Sequence, residues 1–70
     1  MTYARKLKLT DDITFELGKP LKYNGKRSKG KITKIYITFP LARIYVVGND
    51  KPVETVFIQK GSDIEWLDND

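Results

Sequence analysis

The sequence predicts an all-β fold: a single small barrel of five or six short antiparallel strands, with at most one helical turn. Three observations carry that expectation. Apolar and polar residues alternate along much of the chain, as in Leu7 and Leu9 against Lys6 and Lys8, which is the period of a strand with one wet face. Clusters of Gly, Pro, Asn and Asp interrupt the alternation roughly every 8–12 residues. No segment sustains a helical period. An open sheet of this size leaves unpaired edges, so closure is expected.

Seventy residues make one domain, 1–70. A chain this short buries only about 60% of its unfolded surface, so its core must be efficient or an oligomer must supplement it. There is no cysteine and no histidine, which removes disulfides and leaves only carboxylates for a zinc site. No cofactor or metal is expected. No apolar run approaches the roughly 20 residues that cross a bilayer, and MTYARKLKLT lacks the apolar stretch of a signal peptide. These features predict a soluble, cytoplasmic protein that does not contact membrane.

The elements follow in order. Residues 3–9 form a strand, and Thr10-Asp11-Asp12 a turn, where short polar side chains satisfy nearby backbone groups. Ile13, Phe15 and Leu17 face inward on the next strand. Gly18-Lys19-Pro20 interrupts it, because proline cannot donate to a ladder, and Leu21 and Tyr23 continue the period. Asn24-Gly25 is a hairpin signal of the type I′ kind, although residues 26–30 contain no apolar side chain and read as a longer loop. Ile32, Ile35, Ile37 and Phe39 then point inward, with a change of parity between Ile32 and Ile35 that predicts a bulge or a strand entering the core late. Pro40 breaks pairing, and residues 41–47 return as a central strand. Gly48-Asn49-Asp50-Lys51-Pro52 reads as a turn. Residues 53–59 form another strand, with Val53 and Phe57 competing against Val56 and Ile58 for the inner face. Lys60-Gly61 closes that strand. Ser62 and Glu65 have capping-box spacing, but too few residues follow for a helix, so Ile64 and Trp66 are assigned to a short final strand, with Trp66 plugging the core.

Charge is unevenly distributed. Residues 19–34 carry Lys19, Lys22, Lys26, Arg27, Lys29, Lys31 and Lys34 and no acid, whereas Asp63, Glu65, Asp68 and Asp70 crowd the last ten positions. The net charge of +4 hides this dipole, which points to an anionic partner for the middle segment. It also allows the acidic end to fold back on that segment.

The chemistry of catalysis is poorly provided for. Without His or Cys, the general bases are carboxylates and lysines, Ser28 and Ser62 lack a nucleophile-elbow pattern, and Asp11-Asp12 is sufficiently explained as a turn. Gly25 and Gly30 do not match a phosphate-cradling loop. The chain is therefore expected to be no enzyme. Its leading function is non-catalytic DNA or RNA binding by a basic loop, through Lys22, Lys26, Arg27, Lys29, Lys31 and Lys34, with Tyr23 and Tyr36 as stacking groups and Tyr45 a further candidate. The competing reading is a protein-interaction, assembly or inhibitor module that uses a strand edge, self-association or the acidic Trp66 end.

Residues 30–67 offer a glycine, the alternating Ile32 and Ile35, the returning strand Ile44 to Val47, then Val56, Ile58 and Ile64. This pattern resembles SH3-like and Sm-like small barrels; an OB-like barrel is the third expected type. Residues 13–26, ITFELGKPLKYNGK, resemble the opening of certain phage tail assembly proteins. There an alternating strand ends in a Lys-Pro pair and an aromatic before Asn-Gly or Asp-Gly. The helical remainder of that family has no counterpart after residue 26. Both resemblances suit a chain of phage, plasmid or other mobile-element origin.

Overall fold

The computed structural model describes residues 2–23, 26–59 and 61–67, with the backbone alone at Tyr23, Lys26 and Ser28. Among these residues there are seven strands and no helix: β1 (Tyr3–Lys8), β2 (Thr14–Glu16), β3 (Pro20–Tyr23), β4 (Lys26–Thr38), β5 (Leu41–Val46), β6 (Asn49–Phe57) and β7 (Asp63–Trp66). All ladders are antiparallel. The main order is β2-β1-β4-β5-β6, with β3 added to β4 and β7 added to β1. The all-β expectation holds.

Two strands divide their edges between partners, and this division bends the sheet around one core. β4 meets β5 along one edge from Ile32 to Thr38. Its other edge belongs to β3 before residue 32 and to β1 at Ile35 and Tyr36. β1 repeats the arrangement, giving Tyr3 and Ala4 to β4 and Lys6 to Lys8 to β2, while β7 takes its far edge. The four strands meet at a corner fixed by backbone hydrogen bonds. Leu17 N–H donates to Arg5 O at 3.0 Å, Gly18 N–H to Ile32 O at 3.0 Å, and Ile32 N–H to Lys19 O at 2.9 Å. Gly18 sits at φ +82° in this corner, a conformation that glycine reaches without the Cβ penalty. The expected parity change is present as a register shift between Ile32 and Lys34. It lets Ile32 and Ile35 both face inward.

The core is a single cluster drawn from six strands: Ala4, Leu7, Phe15, Leu21, Ile32, Ile35, Ile37, Ala42, Ile44 and Val56 are buried. Leu9, Ile13, Leu17, Val46, Ile58, Ile64 and Trp66 pack against its margin. Phe15 is the largest fully buried side chain. It is carried by a three-residue strand that has little other reason to pair.

Several expectations are corrected. The sheet is not closed: among the described residues no ladder joins β6 to β7, so the expected closed barrel is replaced by an open antiparallel sheet. β6 remains committed to β5 to its end, where Ile58 N–H donates to Pro40 O at 2.7 Å, and four-residue β7 lies along β1 instead. Among the described residues there are seven strands rather than five or six. Residues 26–30 are strand, not loop, because β3 supplies the ladder partners that apolar patterning does not reveal. Residues 49–52 also belong to a strand. The turn is shortened to Val47 and Gly48, with Gly48 at φ +74°, and Pro52 is accommodated where the β5–β6 register is irregular, as proline in an edge strand requires. Phe39 is 70% exposed, since the Phe39-Pro40 turn carries it beyond the last inward position, Ile37. Val56 takes the inner face of β6 and leaves Phe57 outside. The Asn24-Gly25 turn and Lys60 lie outside the described residues.

Two substitutions separate core from surface. Phe15→Ala is expected to cost about 3–5 kcal/mol, most of the stability of a domain this small, and Phe39→Ala under about 0.5 kcal/mol. Chemical denaturation monitored by circular dichroism measures both.

Candidate nucleic-acid interface

The basic residues of the middle segment belong to a hairpin of two strands, and strand geometry sorts them. Side chains two apart on a strand share a face. Since Ile32 points into the core, Arg27, Lys29 and Lys31 point out, and all three are exposed. Lys22 opposes Arg27 across β3–β4 and is exposed as well. After the bulge, Ile35 and Ile37 are buried, so Lys34 and Tyr36 continue the same outer face. From Arg27 to Tyr36 this ridge runs about 30 Å at strand rise. The side chains of Tyr23 and Lys26, also expected in the site, lie outside the described set; their backbones pair with each other.

β5 widens the ridge. Ala42 and Ile44 face the core, so Arg43 and Tyr45 face out. Register places Tyr36 opposite Arg43 and Lys34 opposite Tyr45. On the other side Tyr3 of β1 opposes Tyr36, and their rings lie 5.3 Å apart at a tilt of 57°, within the range where aromatic pairs attract. The result is a chequered patch in which Tyr3, Tyr36 and Tyr45 alternate with Lys34 and Arg43. It grades along β4 into the cationic row of Lys31, Lys29 and Arg27. Thr33 Oγ1 donates to Val46 O at 3.3 Å, a further tie between β4 and β5 beneath this surface.

The carboxylates are elsewhere. β3, β4 and β5 contain no Asp or Glu. On the outer side of β1, Lys6 lies between Glu16 of β2 and Glu65 of β7, and Lys8 opposes Asp63. Lys8 Nζ also lies 3.3 Å from Asp11 Oδ1, whose side chain is 97% exposed, so this pair contributes little to stability. The turn bearing Asp11 and Asp12 is held instead by Thr10, whose Oγ1 accepts from Asp12 N–H at 3.2 Å and Ile13 N–H at 3.1 Å. The acidic end therefore faces the lysines of β1 rather than the basic hairpin as far as it is described; Asp68 and Asp70 lie beyond. One outer surface is charge-balanced and the other cationic.

The sequence did not indicate Tyr3 and Arg43 as members of the patch. Both lie outside the basic segment in sequence, and only cross-strand register brings them beside Tyr36. The available signal was parity: both occupy the outward phase of strands whose other phase is apolar. A second feature lies on the open side of the sheet, a cleft of about 250 Å³ lined by Leu9, Thr10, Ile13, Val56, Phe57, Gln59 and Ser62. No helix among the described residues is long and apolar enough to cross a membrane. No family model, curated protein or solved structure matches the chain.

The Tyr3–Tyr36 contact is testable without any ligand. A double-mutant cycle with Tyr3→Ala and Tyr36→Ala should return a coupling of about 0.5–1.5 kcal/mol, read from denaturation midpoints of the four proteins.

Proposed function

We propose that this protein is a non-catalytic binder of single-stranded nucleic acid, using the outer face of β3, β4 and β5. The observation that carries the reading is the combination on one carboxylate-free surface of a cationic row with outward tyrosines at cross-strand spacing. Lysine and arginine neutralise phosphates and release counterions. Aromatic rings stack on bases whatever their identity. A flexible single strand can follow such a ridge and lay its bases on the tyrosines. Lys22, Arg27, Lys29, Lys31, Lys34 and Arg43 take the backbone in this reading, and Tyr36, Tyr45 and Tyr3 the bases. Tyr23 and Lys26 sit at the end of the same hairpin and extend the path.

The architecture supports the same proposal. A bent antiparallel sheet around one core, with β2–β1–β7 on one side and β3–β4–β5–β6 on the other, is the small-barrel design of SH3-like, Sm-like or OB-like domains with one seam left open. Several such designs present a sheet face to single strands. A protein-interaction role has its own observation, the unpaired edge of β6, which is developed below.

Fluorescence anisotropy with short single- and double-stranded DNA and RNA tests the proposal. Contact with about five phosphates of a single strand gives a slope of log affinity against log salt near −3.5. Replacing Tyr45 by Ala should weaken binding by roughly 1–3 kcal/mol with that slope unchanged. The double reversal Arg27→Glu, Lys29→Glu should abolish binding in a protein that still melts cooperatively. Binding that survives the reversal, or no binding at low salt, removes this function.

A further inference from the structure

Among the described residues, β6 pairs with β5 alone. Its last four residues hold an unbroken register, from Ile44 opposite Glu54 to Leu41 opposite Phe57, and the ladder ends with Ile58 N–H donating to Pro40 O at 2.7 Å. Hydrogen bonding alternates in an antiparallel ladder. Ile58, Val56 and Glu54 therefore turn their backbone groups toward β5, and Phe57 and Thr55 turn theirs away, toward the open side.

Exposed edges are normally guarded by charge, proline, bulges or brevity, and the other free edges here follow that rule. The edge of β7 presents exposed Asp63 and Glu65, β2 and β3 span three and four residues, and the first half of β6 carries Lys51, Pro52 and two register shifts. Residues 54–57 carry no proline, no lysine and no register shift, and the one guard among them is the inward-pointing charge of Glu54. The single charge among them, Glu54, opposes inward-facing Ile44. The two large apolar side chains are exposed, Phe57 at 68% and Val53 at 38%.

We propose that this edge is a self-association surface, pairing antiparallel with residues 53–57 of a second copy about a two-fold axis through Thr55. Self-complementarity selects the occupant. In that register Val53 opposes Phe57, Glu54 opposes Val56, and Thr55 opposes itself. Aromatic–β-branched and Thr–Thr pairs are both stabilising across strands, and no like charges face each other. Val53 of the second copy comes to rest beside Phe57 at the lip of the cleft formed by Leu9, Ile13 and Val56, covering apolar surface that one chain leaves open. The two β4–β5–β6 sheets become continuous.

Sedimentation across a concentration series tests the proposal, with amide exchange as an independent readout. The mass should double with concentration. The association should strengthen with salt, because each copy carries a net +4 and the contact is apolar. That is the opposite of the nucleic-acid salt dependence, so the two proposals fail separately. At high concentration the Thr55 and Phe57 amides should exchange more slowly by about tenfold or more, with no change at Val56, which is already bonded to β5. Thr55→Pro removes an outward donor and no internal bond, and should be monomeric. Thr55→Lys places like charges face to face and should be monomeric even if the proline variant does not fold. A wild-type monomer at every concentration overturns the proposal. So does a dimer that leaves the Thr55 amide unprotected, or one that persists in a folded Thr55→Lys.

Discussion

Everything in this fold depends on the sharing of one strand edge. β4 is thirteen residues long, and no single partner covers the edge opposite β5. β3 takes the first half and β1 the second, and the changeover is held by the paired hydrogen bonds of Ile32 with Gly18 and Lys19. The bulge that follows resets the side-chain phase. Without it, either Ile32 before the bulge or Ile35 and Ile37 after it would face water. With it, Ile32, Ile35 and Ile37 all reach one core, and the sheet curves enough for Phe15 and Leu21 to cover them. A straight β4 would give a flat sheet whose apolar face had no second layer to bury it.

The same constraint shapes the surface. Alternation converts a diffuse run of lysines into a row: the inward phase of β4 is spent on Gly30, Ile32 and Ile35, so the cations have only the outer phase to occupy. Register with β1 and β5 then sets tyrosines into this row from strands far apart in sequence. Segregation of the acids follows from where the second half of β1 lies. Its lysines are flanked by Glu16 and Glu65, which leaves β3, β4 and β5 free of carboxylates. The division into a balanced and a cationic surface is therefore a result of strand order.

Much of this was legible in the chain and some was not, for identifiable reasons. Period-two patterning located β1, β2, β5 and β7 and most of the core, and even the phase break in β4, because burial on one face writes itself into sequence at a local scale. The ladder over residues 26–30 was not legible. The segment contains no apolar side chain and so has no apolar signature, and only the presence of β3 beside it makes it a strand. The reading of residues 48–52 as a turn failed because proline and asparagine, normally breakers, sit on an edge strand where irregular register is tolerated. Closure of the barrel was inferred from the general disadvantage of free edges. In this chain β1 captures β7, and among the described residues the outer edge of β6 is left without a ladder. Of the candidate site, the lysines were found from composition, whereas Tyr3 and Arg43 needed register, which no local pattern encodes.

The cationic surface also has a thermodynamic consequence for the domain that bears it. In an expanded chain the charges of residues 22–43 spread apart and their mutual repulsion relaxes; folding draws Lys22, Arg27, Lys29, Lys31, Lys34 and Arg43 onto one side with no acid between them. Self-repulsion of this kind opposes the compact state. The native structure is therefore electrostatically frustrated, and its folding equilibrium responds to the ionic atmosphere. Dissolved salt relieves part of the frustration, and a polyanion that binds only the folded form relieves more, by linkage. Under the proposed function, such a polyanion acts as a folding cofactor.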